Sequence, residues 1–137
     1  MDLTQPFADP QVAQTFDRFP APARGGLLAL RGLIFDVARD TPGVGALHET
    51  LKWGQPAYLT PETRSGSTLR LGVPKTGGFG IFAHCQTTII SDFRDLFPDD
   101  FKFDGNRGVL FGDGDALALD RLSLLVARGL TYRLKRP

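Results

Sequence analysis

Cysteine is almost absent: Cys85 is the only one in 137 residues. An internal disulfide and the paired-cysteine spacing of a zinc site are both excluded, and the chain suits a reducing compartment. Histidine is nearly as scarce, with His48 and His84 alone, and neither stands at a recognised metal-ligand spacing from Cys85. Neither sign of charge is in surplus, since sixteen basic residues face fifteen acidic ones for a formal net charge of +1. That balance removes any global pull toward nucleic acid or anionic lipid, and the basic end "YRLKRP" is too short to supply one. No apolar run approaches a membrane span, and the start "MDLTQPFADP" is acidic and proline-broken where a secretion signal is basic and then apolar. The expectation is a cytoplasmic protein that binds neither nucleic acid nor membrane. Internal repeats and low-complexity linkers are also missing.

What is present is ordinary globular material. Hydrophobic residues make up 42% and charged residues 23%, and a chain of this length can bury one core without staples. Leu27, Leu28, Leu30, Leu33, Ile34, Val37 and Ala38 recur at helical spacing, with Arg31, Asp36 and Arg39 between them. They predict an amphipathic helix from about Ala23 to Arg39, closed by "DTPG". A shorter helix over Gln11 to Phe16, started near Asp9-Pro10, precedes it. Three strands follow, in "ETLKWGQPAYLT", "STLRLGV" and "GGFGIFAHC", joined by turns at "PETRSG" and "PKTGG". Pro56 inside the first strand calls for an edge position or a bulge, because proline cannot donate to the ladder. Thr87 or Thr88 is placed to cap a helix through "IISDFRDLF". "FKF" and "GVLF" flank the turn "DGNRG", and a last helix runs from Leu119 to about Leu134, with Arg133, Lys135 and Arg136 at its negative end. The order ααβββαββα defines an α+β fold, a single domain in which helices pack on a small antiparallel sheet.

Polar chemistry converges at "FAHCQTT". His84, Cys85, Gln86 and Thr87 fall between the third strand and the next helix, where the first amides of the helix have no internal partners and favour an anion. The plainer alternative makes Thr87 or Thr88 the cap, has Gln86 satisfy a neighbouring backbone group, and makes Cys85 a small core residue. In "KWGQPAY", strand alternation puts Trp53, Gln55 and Ala57 on one face, so Trp53 and Gln55 are candidate pocket partners, although a lone tryptophan is more often core. In "FDGNRGVLF", Asn106 and Arg107 occupy a glycine-flanked turn. Arg107 either holds a carboxylate or phosphate, or pairs with a local aspartate. Together Trp53, Gln55, His84, Gln86, Asn106 and Arg107, with Lys75 as a further cation, describe a pocket for a small anionic ligand. Nucleophilic use of Cys85 has little support, because adjacent residues of a strand face opposite ways and His48 would have to serve as base.

The segments "ETLKWGQPAY", "GVPK", "HCQTTIISDFRDLFP" and "FDGNRGVLF" together resemble the YdhG-like domain family of small bacterial proteins, in the branch with Cys-Gln-Thr and Gly-Asn-Arg signatures. The resemblance runs from about Pro20 to Leu134, so residues 20–137 form the domain and residues 1–19 an N-terminal extension. It implies an α+β fold. Some members are described as frataxin-like intracellular iron chaperones, which implies ferrous iron on hard carboxylate ligands. The positions available for that are Asp92, Asp95, Asp99, Asp100 and Asp104, with His84 as an extra ligand. Arg94, Lys102 and Arg107 dilute this acidity, and the first helix is not acidic. A monomer and a homodimer through an exposed edge strand both remain open.

Overall fold

Strand-type and helical stretches alternate along the chain in a way that leaves one sheet with helices to one side. The computed structural model describes residues 5–134. Within them the elements run α1 (Pro10–Arg18), α2 (Ala21–Asp40), β1 (His48–Lys52), β2 (Gln55–Leu59), β3 (Leu69–Gly72), β4 (Phe79–Phe82), α3 (Ile89–Leu96), β5 (Lys102–Asp104), β6 (Gly108–Phe111) and α4 (Leu119–Leu130). The strands form one six-stranded antiparallel sheet in the order β1-β2-β3-β4-β6-β5. The α+β class holds, with one strand more than the sequence predicts. No helix among the described residues is long and apolar enough to cross a membrane.

The additional strand comes from "ETLKWGQPAYLT", which is a hairpin and not one strand. Lys52 pairs with Gln55, so Trp53 and Gly54 form a two-residue turn. Both have positive φ, 55° and 76°, the signature of the type I′ turn whose twist matches that of paired strands. Gln55 and Ala57 do share a face, but Trp53 leaves it at the tip, against the alternation expected of a single strand, and is 90% exposed and so not core. Pro56 lies opposite Leu51, one step from the closing pair, so its missing N–H faces β3. The β2–β3 ladder begins only at Ala57 and Arg70, and the proline is accommodated without a bulge.

One face of the sheet presents Tyr58, Leu69, Leu71, Phe79, Ile81 and Val109, all at most 1% exposed. Helices α1, α2 and α4 pack on this face, and α3 packs on α4. Leu27, Leu30 and Ile34 of α2 are fully buried there, each contributing about 1.5–3 kcal/mol. Helix α1 starts where Asp9 accepts from the amide of Gln11, and it buries Val12 and Phe16 in the common core. Arg31, which the periodicity sets on the polar side of α2, is in fact buried. Its guanidinium donates to both carboxylate oxygens of Glu49, at 2.6 and 2.9 Å, and to the carbonyls of Gln5 and Pro6. Tyr58 donates to the same carboxylate at 2.7 Å.

Helix α4 stops at Leu130, earlier than expected, leaving Arg133 beyond its end and Arg128 as the basic residue of its last turn. Lys135 and Arg136 lie outside the described residues. The terminal carbonyls of α4 are met by the loop between β2 and β3: Ser65 Oγ donates to Leu130 at 2.8 Å and the Ser67 amide to Gly129 at 3.0 Å. Tertiary contacts thus supply what a local cap would.

The opposite face of the sheet carries Thr50, Ala57, Arg70, Phe82 and Gly108 in one row of the register. Phe82 lies flat across Gly80 and Gly108, where an added Cβ would come within 2.8 and 2.5 Å of its ring. Glycine at these two positions therefore lets the sheet cover its own outer face.

Candidate functional site

At one end of that outer face lies a cleft of about 380 Å³. The β1–β2 hairpin brings Lys52 and Trp53 to it, and β3 with its preceding residue brings Arg70 and Thr68. Ala83, His84 and Cys85 follow β4 into the cleft, and Arg107 enters from the turn before β6. The Ala83 amide donates to the carbonyl of Arg107 at 2.8 Å, extending the β4–β6 ladder one step and fixing the two segments side by side. No carboxylate among the described residues lines the cleft, while Lys52, Arg70 and Arg107 do.

Two of these cations have polar neighbours that hold them in place. Arg70 Nη1 donates to Gln55 Oε1 at 3.0 Å, so Gln55 acts on the cleft through Arg70 and not as a wall. Arg107 meets Asp104 at 3.3 Å, with both side chains substantially exposed. A surface pair of this kind is worth about 0–1 kcal/mol and yields readily to a better anion.

The turn after β4 is locally determined. His84 Nδ1 accepts from the Gln86 amide at 3.1 Å, and the His84 carbonyl accepts from both the amide and the hydroxyl of Thr87, at 3.0 and 2.7 Å. With Nδ1 accepting, the proton of the neutral ring sits on Nε2. Cys85 is exposed and bonded to neither histidine, and His48 stands exposed at the start of the edge strand. The nucleophile arrangement weighed from sequence is therefore not assembled.

At the start of α3, where the sequence suggested an anion cradle, Tyr132 and Asp92 hold the backbone and side chain of Thr88. Thr88 holds the capping position without a side-chain cap bond. Its hydroxyl donates to Asp92 at 3.0 Å, and its amide donates to the Tyr132 hydroxyl at 3.1 Å. That amide favours the phenolate and holds the Tyr132 pKa below its ordinary value. Thr87 neither caps α3 nor reaches the cleft, since it closes the turn onto His84.

Of the predicted pocket residues, Trp53, His84, Cys85 and Arg107 come together. Gln86 is exposed beside the cleft lining, and Lys75 is exposed in the turn between β3 and β4. Asn106 turns away and accepts from Arg94 of α3 at 3.2 Å, while Gly105 takes the positive φ of that turn. Lys52, Thr68 and Arg70 were not foreseen. Alternation in "STLRLGV" was the available signal for Arg70, since it sets that residue opposite to Leu69 and Leu71.

The aspartates proposed for iron do not converge. Asp92 pairs with Arg128 at 3.2 Å, Asp100 with Arg121 at 2.9 Å and Asp104 with Arg107 at 3.3 Å. Among the described residues, no three histidine, cysteine, aspartate or glutamate side chains gather as a metal ion requires.

An antiparallel sheet with its helices on one face defines a small α+β domain whose fold is shared with a known structure. No family model matches the sequence, and no curated protein is similar to it. Among solved structures, the DUF1801-family protein YdhG of Bacillus subtilis has the same fold, with a TM-score of 0.61 over 87% of each chain and 13% sequence identity. The chain is thus a YdhG-like domain in its fold.

Proposed function

We propose that this domain binds a small anionic ligand in the outer-face cleft, between the β1–β2 hairpin and the turn after β4. The observation that carries the proposal is the lining itself: Lys52, Arg70 and Arg107 converge on one cleft with no lining carboxylate among the described residues. Asp104 offsets Arg107 in part, and the remaining excess of positive charge in the cleft favours a further anion. The forked donors of the two arginines suit a carboxylate or phosphate. The Thr68 hydroxyl and the His84 imidazole add further polar groups, and the cleft volume lies within the range of small-molecule sites.

The test is a titration of the folded protein with citrate and with inorganic phosphate, followed by amide chemical shifts. A saturable response at residues 68–70, 83–85 and 107 is expected. Arg70→Ala and Arg107→Ala should each weaken the same anion by about tenfold, in line with the loss of one charge-assisted hydrogen bond. Shifts confined to other regions, or affinities indifferent to both substitutions, would refute the site.

A further inference from the structure

Trp53 fits neither role that fold stability offers a tryptophan. It is 90% exposed, so it contributes nothing to the core. It also occupies the first central position of a type I′ turn with φ of 55°, where asparagine, aspartate or glycine is favoured and a bulky side chain is strained. The one surface it does form is a wall of the cationic cleft.

We infer that the cleft takes an aromatic anion: a planar ring stacked on the Trp53 indole, with a phosphate or carboxylate at its other end held by Arg70 and Arg107. The inference rests on the anion site proposed above and adds the ring. Size supports it, because about 380 Å³ is room for roughly a dozen waters, far more than a bare oxyanion displaces. Geometry supports it too, since the indole comes from the hairpin while Arg70 and Arg107 come from β3 and the turn before β6. A ligand in contact with all three needs a ring and an anionic group separated along its length. Stacking on an exposed indole is tolerant of ring identity, so nucleotides and aromatic carboxylates share the chemistry. A cleft of this size on a nearly neutral chain favours a small molecule over a nucleic-acid strand.

Calorimetric titration of the full chain with matched probes separates the contributions. The pairs are adenosine 5′-monophosphate against ribose 5-phosphate, and phenylacetate against acetate. For at least one pair the ring-bearing anion should bind about tenfold or more tightly than its ring-free counterpart, and the pair that responds identifies the anionic group. Trp53→Ala should erase that advantage, leave the ring-free anion unchanged and, with the side chain outside the core, preserve the far-ultraviolet spectrum. Equal affinities within both pairs, or an advantage that survives Trp53→Ala, would overturn the inference. If ribose 5-phosphate or acetate then still binds in an Arg70- and Arg107-dependent manner, the anion site stands and only the ring falls. If no probe binds, both fall. A short single-stranded oligonucleotide binding far more tightly than the mononucleotide would also overturn it, in favour of a nucleic-acid strand.

Discussion

Replacing Glu49 by leucine should be among the most damaging single substitutions in this domain. The side chains of Arg31 and Glu49 are 3% and 6% exposed. The carboxylate accepts two hydrogen bonds from the guanidinium and one from Tyr58. Glu49→Leu leaves Arg31 charged and buried, with only the carbonyls of Gln5 and Pro6 as acceptors and the ring of Phe7 3.8 Å away. Stranding a buried charge in this way costs about 3–5 kcal/mol, and the orphaned Tyr58 hydroxyl adds about 1 kcal/mol. Against a typical total of about 5–15 kcal/mol, that is a large share of stability, and the melting temperature should fall by about 10–20 °C. Urea unfolding followed by far-ultraviolet circular dichroism measures it, because exposed Trp53 makes fluorescence a poor reporter of the core. The combined variant Arg31→Met, Glu49→Leu and Tyr58→Phe removes every polar member of the cluster and should recover most of the loss. A single substitution costing under about 1 kcal/mol, or a combined variant as unstable as the single one, would refute the assignment of a coupled buried network.

The two tyrosines of the chain should ionise in separate steps on alkaline titration. Burial, reinforced by the Glu49 charge and hydrogen bond, pushes Tyr58 well above its ordinary value, whereas the Thr88 amide draws Tyr132 down. Ultraviolet difference absorbance should show an early step that vanishes in Tyr132→Phe, with Tyr58 ionising only on unfolding; an early step that persists in the variant contradicts the assignment. The Tyr58 contribution to stability is complete below pH about 10, where its unfolded form is still protonated. It declines as pH rises further, because the unfolded state then binds fewer protons than the folded one. At the hairpin tip, Trp53→Asn should stabilise the fold by about 1 kcal/mol by relieving the left-handed strain of a bulky residue. A loss of stability on urea unfolding would mean instead that the indole packs.

What sequence could and could not reveal follows the range of each interaction. The core face of α2 and the strands "FGIF" and "GVLF" were legible because periodicity is local, and the α3 span was set by its apolar face and Pro98. The β1–β2 hairpin was hidden by Trp53, which stands where a turn of this type normally carries asparagine, so that only Gly54 marked it. Arg31 looked like one polar residue of an amphipathic helix, and nothing near it in the chain shows that its partner waits on β1. Thr88, one of the two threonines the sequence offered, does hold the capping position of α3, but the group that takes its amide is Tyr132, far along the sequence and brought there by α4. The aspartates between Asp92 and Asp104 are dense in sequence but are drawn apart in space by Arg128, Arg121 and Arg107. His84, Cys85 and Arg107 were grouped from their residue types and the family pattern, and it is the pairing of β4 with β6 that brings them together. Lys52 and Arg70 needed the true hairpin register before either could be assigned to the cleft.

The place of β6 between β4 and β5 bears on how the chain reaches its fold. Strands β1 to β4 are joined by hairpin connections, and β5 with β6 forms a second local hairpin. Each can zip along its own short loop. The pairing of Phe79–Phe82 with Gly108–Phe111 is different, since α3 and β5 must be drawn in before the two strands meet. Loop-closure entropy rises with the length of chain enclosed and must be met before non-local contacts form. The stacked rings of Phe79 and Phe111, 5.2 Å apart, sit at this seam, where two locally formed halves become one cooperative unit.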